Sequence, residues 1–520
     1  MMEFPLAADK TDCARIAYSL DITREETVDV TVPDAYPDIA EILAAHAVAF
    51  VRGKETDSGR GSISGVARAE LVYTPENGGR PVRLDAELPF SAPVADGALT
   101  GDMMVTARVQ AASCSARVIN PRKASISVAI RVRAAFYENR ELRLHHGADG
   151  DCEGRVELLC ETAETCLPAD VRERTFVISD ELTLPQEYPP ASEALFTDVE
   201  LRVTDTKVVG NKLVFKGAAD ILLFYISDGG SLARAPLGAE FSQIIEFDAL
   251  TPESEFDVSL MLTGAYTELR PQDADGRRVS VEIHAAAQCV KFEKRTVKYI
   301  ADAFAPGLDL ECEYSEFEVS GRARTQRSEC AARASLNIPD AAEVVAVFPG
   351  FLTPEATLAD GRARVRCGVE ITCLYADSDG RARSARTRVD AECAPFDAPG
   401  AQSVTASVSP AGEASAAISG GVIELSVPIT FEISYPPAPR RRAISAIAYD
   451  GDAPDNAPEP PSLTVTRVKP NEKLWSLAKR YGSGVRLIME ANDIERESEL
   501  EPGTLLLIPR RRFAAGARTR

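Results

Sequence analysis

The feature that most constrains the fold is an alternation of apolar and polar residues, which recurs from the start of the sequence to about residue 445. Runs such as 123–137 and 211–226 alternate along most of their length. Successive side chains of a strand point to opposite faces, so these runs predict half-buried β-strands. Helical spacing is limited to short stretches, at 38–47 and 198–203. The region is therefore predicted to be mainly β and to form several sheets.

One strand pattern occurs three times with a period of about 150 residues, which is too long for a solenoid repeat. A small residue precedes a tyrosine by the same interval in each copy, and Gly65 and Tyr73 are the first such pair. Strand glycines mark bulges or close backbone approach, and a strand-end tyrosine commonly fills the core while its hydroxyl meets solvent, so structural roles are favoured for both. The sequence predicts three tandem, sandwich-like β units, at 1–150, 151–308 and 309–445.

The composition excludes several classes of protein. The 520 residues are 45% hydrophobic and 26% charged, which is typical of a folded chain and not of a disordered one. The net charge of -21 argues against nucleic acid as a partner. No apolar run is long enough for a transmembrane segment. The first residues lack the basic and apolar regions of a secretory signal, so a cytoplasmic location is expected.

Catalytic and metal-binding patterns are scarce. The eleven cysteines form no C-x-x-C pair and only four histidines are present, so reduced thiols are favoured over a zinc site. His145 and His146 precede two aspartates, which favours a solvated loop over a metal site. Phosphate-binding and nucleophile motifs are absent, and no cysteine is singled out for Cys–His catalysis. We therefore expect no enzyme activity, no catalytic residues, no cofactor and no metal.

Residues 446–462 are rich in proline and acidic side chains and predict an extended, semi-stiff linker. A compact unit at 463–510 follows it. Its first piece alternates as a short strand, and Asn471 is a candidate helix cap. Apolar positions then follow helical spacing from Leu474 to Tyr481, and Gly482 predicts the end of that helix.

A second helical pattern runs from Val485 to Asn492, and the residues LLLIP at 505–509 predict a closing strand. The order is βααβ. This unit resembles the LysM domain through VKP at 468–470, LWSLAKRYG at 474–482 and the closing L-x-PG-x-LLLIP at 500–509. The resemblance implies a two-stranded sheet carrying two helices on one side, and a shallow groove between two loops that holds chains of N-acetylglucosamine.

Carried over from the family, the groove residues are Asn471, Glu472, Lys473 and Leu474 on one side and Asn492, Asp493 and Ile494 on the other. The family reads Gly-Asp-Thr where this chain has Asn471, Glu472 and Lys473, which add bulk and charge where a sugar would approach. The same surface could instead bind a protein. Trp475, the only tryptophan, is either an interface residue or a packed core residue.

The three β units resemble the SPOCS domain, a β-rich family of spore-coat assembly. The residues that carry this resemblance are PDIAEIL at 37–43, the strands that end in tyrosine, and INPRKASISVAIRV at 119–132. Tandem SPOCS units followed by a LysM domain imply a non-enzymatic scaffold in the mother cell. Its LysM domain would bind a SpoIVA-type coat ATPase at the forespore surface, and peptidoglycan or chitin-type glycans are the alternative partners. The basic segment 511–520 could touch anionic lipid, an acidic partner or nucleic acid, or serve only solubility.

Overall fold

The computed structural model describes residues 2–149, 156–269, 275–306, 308–435, 440–449, 461–497 and 500–510. The fold is mainly β, as the alternation predicts, and a small α+β region follows the β part of the chain.

The first part of the chain forms a sandwich of two antiparallel sheets, with strand orders β2-β7-β6 and β3-β4-β5. Inward-facing residues of both sheets share one buried cluster that includes Ile63, Leu71 and Ile126. The strands are β1 (Met2–Glu3), β2 (Leu6–Thr31), β3 (Ile39–Asp57), β4 (Arg60–Pro75), β5 (Val82–Ala95), β6 (Met104–Asn120) and β7 (Lys123–Ala148).

The second sandwich repeats this pairing, with strand orders β12-β13-β8 and β11-β10-β9. Its own core includes Phe215, Leu223 and Ile283. The strands are β8 (Glu157–Thr183), β9 (Ala191–Val209), β10 (Lys212–Ser227), β11 (Leu232–Glu246), β12 (Glu255–Leu269) and β13 (Arg278–Phe304).

In the third sandwich the pairing recurs with interruptions, because three long strands are each replaced by two shorter ones. One sheet pairs β15, β21 and β22 with β23, and the other pairs β16, β17, β19 and β20 with β18. The strands are β14 (Leu310–Glu318), β15 (Arg324–Asn337), β16 (Ala341–Phe351), β17 (Glu355–Ala359), β18 (Arg362–Asp377), β19 (Ala382–Glu392), β20 (Phe396–Asp397), β21 (Thr405–Pro410), β22 (Ser415–Ser419), β23 (Val422–Tyr435) and β24 (Arg440–Tyr449).

The three sandwiches are joined at one end by a shared layer. β24 pairs with β14 on one side and with the short β1 on the other, so Met2 lies opposite Tyr449. The apolar cluster beneath this layer contains Phe4, Ile300 and Ile447, which come from distant parts of the sequence. Because these residues exclude water from one another, the layer links chain segments that adjoin the three sandwiches.

The two short helices expected in the β region are strands, β3 at 38–47 and β9 at 198–203. In β3 the cause is burial on both faces of the strand. In β3, Ile42 packs in the core of its own sandwich, whereas Leu43 and Ala44 pack in a central cluster that includes Phe224 and Leu374 of the other two sandwiches. The register also shifts between Ile42 and Ala44. Consecutive apolar residues therefore mimic helical spacing.

The repeated tyrosine has a structural role, although its hydroxyl does not meet solvent as expected. The Tyr73 hydroxyl donates a hydrogen bond of 2.7 Å to the carbonyl of Pro37. The Tyr225 hydroxyl makes the same 2.7 Å bond to the carbonyl of Pro189. Each bond ties the end of one strand to the turn that begins its neighbour.

The repeated glycine is a site of close approach, as predicted. A Cβ atom at Gly65 would collide with the carbonyl oxygen of Phe50 and lie 2.5 Å from the ring of Phe90, which is its cross-strand partner. In the third sandwich the equivalent pair is Cys367 and Ala391. A larger residue on one strand is thus matched by a smaller one on the other, which keeps the packed volume similar.

The predictions of a linker at 446–462 and of a loop at His145 and His146 need partial correction. Strand β24 continues to Tyr449, so residues 446–449 lie in a strand; residues 450–460 of the linker, and the basic segment 511–520, fall outside the described residues. His145 and His146 lie in β7 and not in a loop, and Nε2 of His146 is 3.5 Å from Asp9. In the described ranges, no three His, Cys, Asp or Glu side chains are grouped to hold a metal ion.

The compact α+β region has strands β25 (Leu463–Arg467) and β26 (Leu505–Pro509) and helices α1 (Leu474–Tyr481) and α2 (Val485–Ala491). The two strands pair antiparallel, so the predicted βααβ order is confirmed. Within the part of the chain that the structure describes, no helix is long and apolar enough to span a membrane. All the described cysteines are free thiols.

Candidate functional site

The α+β region is built on a small apolar core. Leu474, Leu477 and Ala478 of α1 are buried, as their spacing predicts, and pack with Ile488 of α2. Gly482 ends α1 in the left-handed conformation, with φ of 63°, and its N–H bonds the carbonyl of Ala478. Both helices lie on the inner face of the β25–β26 sheet.

The backbone N–H groups at the start of α1 are not capped by Asn471, the residue that the sequence predicts. The residue at the N-cap is Lys473, which makes no side-chain cap bond, and Asn471 instead adopts a positive φ of 61°. The first-turn N–H of Leu474 donates a 2.8 Å bond to the carboxylate of Glu497, which lies in the loop between α2 and β26. A negative group is favourable at a helix N-terminus. The same bond brings the two predicted walls of the groove together.

The side chain of Glu472, a predicted groove residue, is bonded to other residues of the same domain. Its carboxylate accepts a 2.9 Å bond from the N–H of Lys469 and pairs with Arg480 at 2.7 Å. Only 7% of its side chain is exposed. The backbone bond from Lys469, with the Arg480 guanidinium, holds the pKa of Glu472 below its usual value. The residue therefore fixes the loop and offers little to a ligand.

The opposite wall is also held by internal bonds. The side-chain amide of Asn492 donates to the carbonyls of Ile488, at 2.7 Å, and Leu507, at 2.6 Å, and its oxygen accepts from the N–H of Leu507 at 2.7 Å. It thus joins the end of α2 to β26. The side chain of Ile494 packs against the domain core. Asp493 remains exposed, with a positive φ of 53°.

The predicted set therefore divides into two groups. Glu472, Leu474, Asn492 and Ile494 maintain the two loops. Asn471, Lys473 and Asp493 are exposed and available to a partner. The position of Glu497 beside Leu474 was not anticipated, because an acidic residue in a polar loop carries no sequence signal for capping a distant helix.

Trp475, the eighth predicted residue, faces the second sandwich and not an open groove. Its indole N–H donates a 2.9 Å bond to Asp302, near the end of β13, and its ring lies 4.9 Å from that of Phe304 at 68°. Lys479 Nζ contacts both oxygens of Asp302, at 2.7 and 2.8 Å. These four residues, Asp302, Phe304, Trp475 and Lys479, are called the Asp302 contact below.

The charge on Asp302 is stabilised by this arrangement. Burial opposes ionisation, but the bonds from Lys479 and Trp475 outweigh it and hold the pKa of Asp302 below its usual value. Phe304 is itself buried in the core cluster of the α+β region. Nearby, Gly482 lies against Pro306, and a Cβ atom at Gly484 would come within 2.9 Å of the Glu157 carboxylate. The contact therefore continues beyond the ionic pair.

A second candidate site is a cavity of about 590 Å³ lined by strands of all three sandwiches. His46 lies at its edge, stacked at 4.6 Å on Phe196, with Nδ1 3.5 Å from Glu70 and Nε2 3.7 Å from Asp198. Burial opposes the charge of His46, yet Asp198 and Glu70 outweigh it and raise its pKa to about 10. Burial raises the pKa of Cys114, another lining residue, to about 12. A thiol that stays protonated is a poor nucleophile.

Comparison with known proteins finds a match in the α+β region alone. The LysM domain model matches residues 466–509. No curated protein and no solved structure matches the chain. LysM is a binding domain that suggests an affinity for peptidoglycan or related glycans, and it has no catalytic role of its own. Residues 466–509 of this chain are a LysM domain.

Proposed function

We propose that the protein is a non-enzymatic adaptor, in which the β sandwiches form a rigid scaffold and the LysM domain binds another protein. The proposal rests on the hydrogen bonds that the polar side chains of the groove make within the domain. The side chains of Glu472, Asn492 and Glu497 all bond within the domain. A glycan is recognised through many hydrogen bonds, so a groove in which these three polar side chains are already paired offers a sugar fewer partners.

The exposed groove residues fit a protein partner better. Asn471, Lys473 and Asp493 present an amide and two opposite charges on neighbouring loops. Charges at the rim of an interface contribute to specificity and association rate. The Asp302 contact holds this surface in a fixed position relative to the scaffold. Such preorganisation reduces the entropy that binding must overcome.

The finer proposal concerns the partner and the location. The resemblance of the β units to SPOCS domains, together with the LysM domain, supports a spore-coat morphogenesis protein of the clostridial SipL type. The partner would then be a SpoIVA-type coat ATPase, and the site of action the mother-cell cytoplasm at the forespore surface. The alternative function is binding of peptidoglycan at a cell or spore wall, which the LysM match itself favours.

The test is co-purification of the full chain with the SpoIVA-type ATPase. The variant Lys473→Glu/Asp493→Asn changes two exposed groove charges, and Asn tolerates the positive φ at position 493. We expect slower association and less retained ATPase at low salt, and a smaller difference at high salt, since changing rim charges alters the association rate and its salt dependence. A matched control, Lys207→Glu/Asp205→Asn, makes the same charge changes at exposed positions of β9 and should bind normally.

Sedimentation of the chain with insoluble peptidoglycan, measured in parallel, distinguishes the adaptor function from the glycan-binding alternative. The adaptor proposal predicts that the chain stays in the supernatant. Retention on peptidoglycan that the groove variant abolishes, with no retention of ATPase, would establish the glycan function instead. Equal ATPase binding by the groove variant and the control would exclude the groove as the docking surface.

A further inference from the structure

Strand β6 lies at the edge of its sheet, where it pairs with β7 alone. In an antiparallel pair, alternate residues direct their N–H and C=O groups away from the partner strand. The carbonyl of Val105 and both backbone groups of Ala107 point away in this manner, since they bond side chains of other strands. The same alternation directs the backbone groups of Val109 and Ala111 away from β7.

A bulge changes this alternation in the middle of β6. The register shifts between Ala111 and Ser113, so the alternation resumes one residue later. The carbonyl of Ala116 then points away from β7 and accepts a 3.3 Å bond from Arg386 of the third sandwich. By the same alternation, the N–H and C=O groups of Cys114 also point away from β7.

The outward-facing backbone groups of β6 are bonded at two places and open between them. Side chains of other strands bond Ala107, at 2.6 and 2.7 Å, and Ala116, at 3.3 Å. In the described part of the chain, no hydrogen bond reaches the outward-facing backbone groups of Val109, Ala111 and Cys114. A row of unpaired N–H and C=O groups at a sheet edge is a template for a further strand. We call these three residues the open β6 edge.

The open β6 edge lies along the cavity of about 590 Å³ between the three sandwiches. A paired strand needs ~3.4 Å of length per residue, ~4.8 Å between neighbouring strands and ~10 Å between packed faces, so the cavity has room for about four extended residues. Arg108, Glu200 and Arg388 line the cavity and are exposed, which shows that it opens to solvent. A chain segment can therefore reach the edge.

Charged side chains of both signs line the same cavity. Glu370 lies directly opposite Arg388 in the register of β18 and β19, so their charges offset each other. Burial raises the pKa of Glu200, and the charge of Arg108 opposes this rise. Arg386 bonds the backbone of β6 and has no carboxylate partner among the described residues. The lining therefore favours a ligand that brings a carboxylate to Arg386.

We propose that an extended peptide segment of another protein, with an acidic side chain, pairs with the open β6 edge inside the cavity. Addition of a strand to a sheet edge gains affinity from backbone hydrogen bonds and specificity from alternate side chains. A peptide suits this edge better than a lone anion, because its own N–H and C=O groups match both kinds of unpaired group. This inference does not rest on the adaptor proposal, which uses the loops of the LysM domain.

The test begins with an array of acetylated and amidated hexapeptides, in which every position is varied among Val, Thr, Glu and Lys, probed with the full chain. We expect retention on a subset of peptides that contain glutamate. Fluorescence anisotropy of a labelled copy of the best peptide then gives its affinity. N-methylation of the alternate residues that face β6 should lower this affinity about tenfold or more, and methylation of the other alternate set should have a smaller effect.

Two variants locate the peptide on the chain. Val109→Pro removes an outward-facing N–H of the open β6 edge and should abolish binding. The matched control is Val118→Pro, which removes an outward-facing N–H of the same strand outside the cavity and should bind normally. Arg386→Gln should weaken binding severalfold at low salt and less at high salt, whereas Arg333→Gln, at an exposed position of β15, should have no effect.

Circular dichroism checks that each variant is folded, and the methylated peptides and Arg386→Gln provide the test if Val109→Pro does not fold. Absence of retention on every peptide of the array would overturn the proposal. Equal effects of the two methylation patterns would overturn it as well, since strand pairing uses only one set of N–H groups. Loss of peptide binding in Lys473→Glu/Asp493→Asn, with normal binding by Arg386→Gln, would place the peptide on the LysM domain and not in the cavity.

Discussion

The β sandwiches and the LysM domain bury apolar side chains in different ways. Each sandwich closes its own core between two sheets, with fully buried residues such as Leu71 in the first and Leu223 in the second. The LysM domain has a much smaller core, and one of its buried members, Phe304, is supplied by β13 of the second sandwich. A domain of fewer than fifty residues buries little apolar surface by itself.

This difference indicates that the LysM domain does not move independently of the sandwiches. A proline-rich linker predicts independent movement, but the Asp302 contact combines an ionic pair, an indole hydrogen bond and a ring contact. The LysM domain gains stability from the second sandwich, and the contact holds its orientation relative to that sandwich. The stability of the LysM domain should therefore depend on residues outside it, whereas that of the sandwiches should not depend on the LysM domain.

The strongest test applies one substitution to both regions. Leu477 and Leu223 are each 0% exposed, and a buried Leu→Ala change costs about 2–5 kcal/mol. Leu477→Ala should unfold the LysM domain at ordinary temperature, because its total stability is of that order. Leu223→Ala should lower the melting temperature of the sandwiches and leave them folded.

The two outcomes can be read separately in one sample. Trp475 is the only tryptophan, so its fluorescence reports the LysM domain, whereas far-UV circular dichroism is dominated by the strands of the sandwiches. Loss of both signals together in Leu477→Ala would contradict the comparison, since it would mean that the sandwiches depend on the LysM domain.

A weaker perturbation targets the Asp302 contact. Asp302→Asn keeps the shape of the side chain but removes its charge, so the pair with Lys479 is lost and the bond from Trp475 weakens. We expect the LysM domain to lose about 1–2 kcal/mol, which is typical for hydrogen bonds to a charged group. Acrylamide quenching of Trp475 should increase. Asp205→Asn, an exposed aspartate on β9, serves as the control.

The same contact predicts a pH dependence. Asp302 has a folded-state pKa below its ordinary value of 3.8. Its contribution is therefore present at all pH values above 3.8 and is lost as the pH falls through the lowered pKa. The unmodified LysM domain should lose stability in acid more steeply than Asp302→Asn does. Parallel curves for the two proteins would show that the Asp302 charge does not stabilise the folded domain.

How much of this could be predicted from the sequence depends on the range of the interaction. The local patterns succeeded: alternation predicted the sheets, and the spacing of Leu474, Leu477 and Ala478 predicted α1. The pattern failed at 38–47, where a strand is buried on both faces by neighbours distant in sequence. A periodicity rule assumes one buried face, so it cannot separate such a strand from a helix.

Prediction of the candidate site from the sequence was limited in the same way. Family resemblance predicted the two groove loops, and the hydrogen bond from Leu474 to Glu497 joins them. It could not assign Trp475, because its partner Asp302 lies 173 residues away. Nor could it separate Asn492, whose amide bonds the backbone, from exposed Asp493 beside it. Those assignments depend on three-dimensional neighbours that no sequence spacing encodes.

The smallest expected effect concerns the junction between sandwiches, where the sign of the pH dependence is opposite to that of the Asp302 contact. His46 of the first sandwich lies between Glu70 and Asp198, and its pKa is raised from 6.5 to about 10. A raised pKa means that the contribution is fully present below pH 6.5 and is lost as the pH rises toward 10. The N···O distances of 3.5 and 3.7 Å are long for ion pairs, so the effect should be modest.

The measurement is the melting temperature of the sandwiches between pH 6 and pH 10, for the unmodified protein and His46→Gln. The unmodified protein should be the more stable at the acidic end, and the gap should narrow as His46 loses its proton. His284→Gln is the matched control, because His284 pairs with Glu282 on its own strand and joins no two sandwiches. A gap that stays constant across this range would mean that His46 contributes by stacking on Phe196 and not by its charge, since stacking does not require the proton.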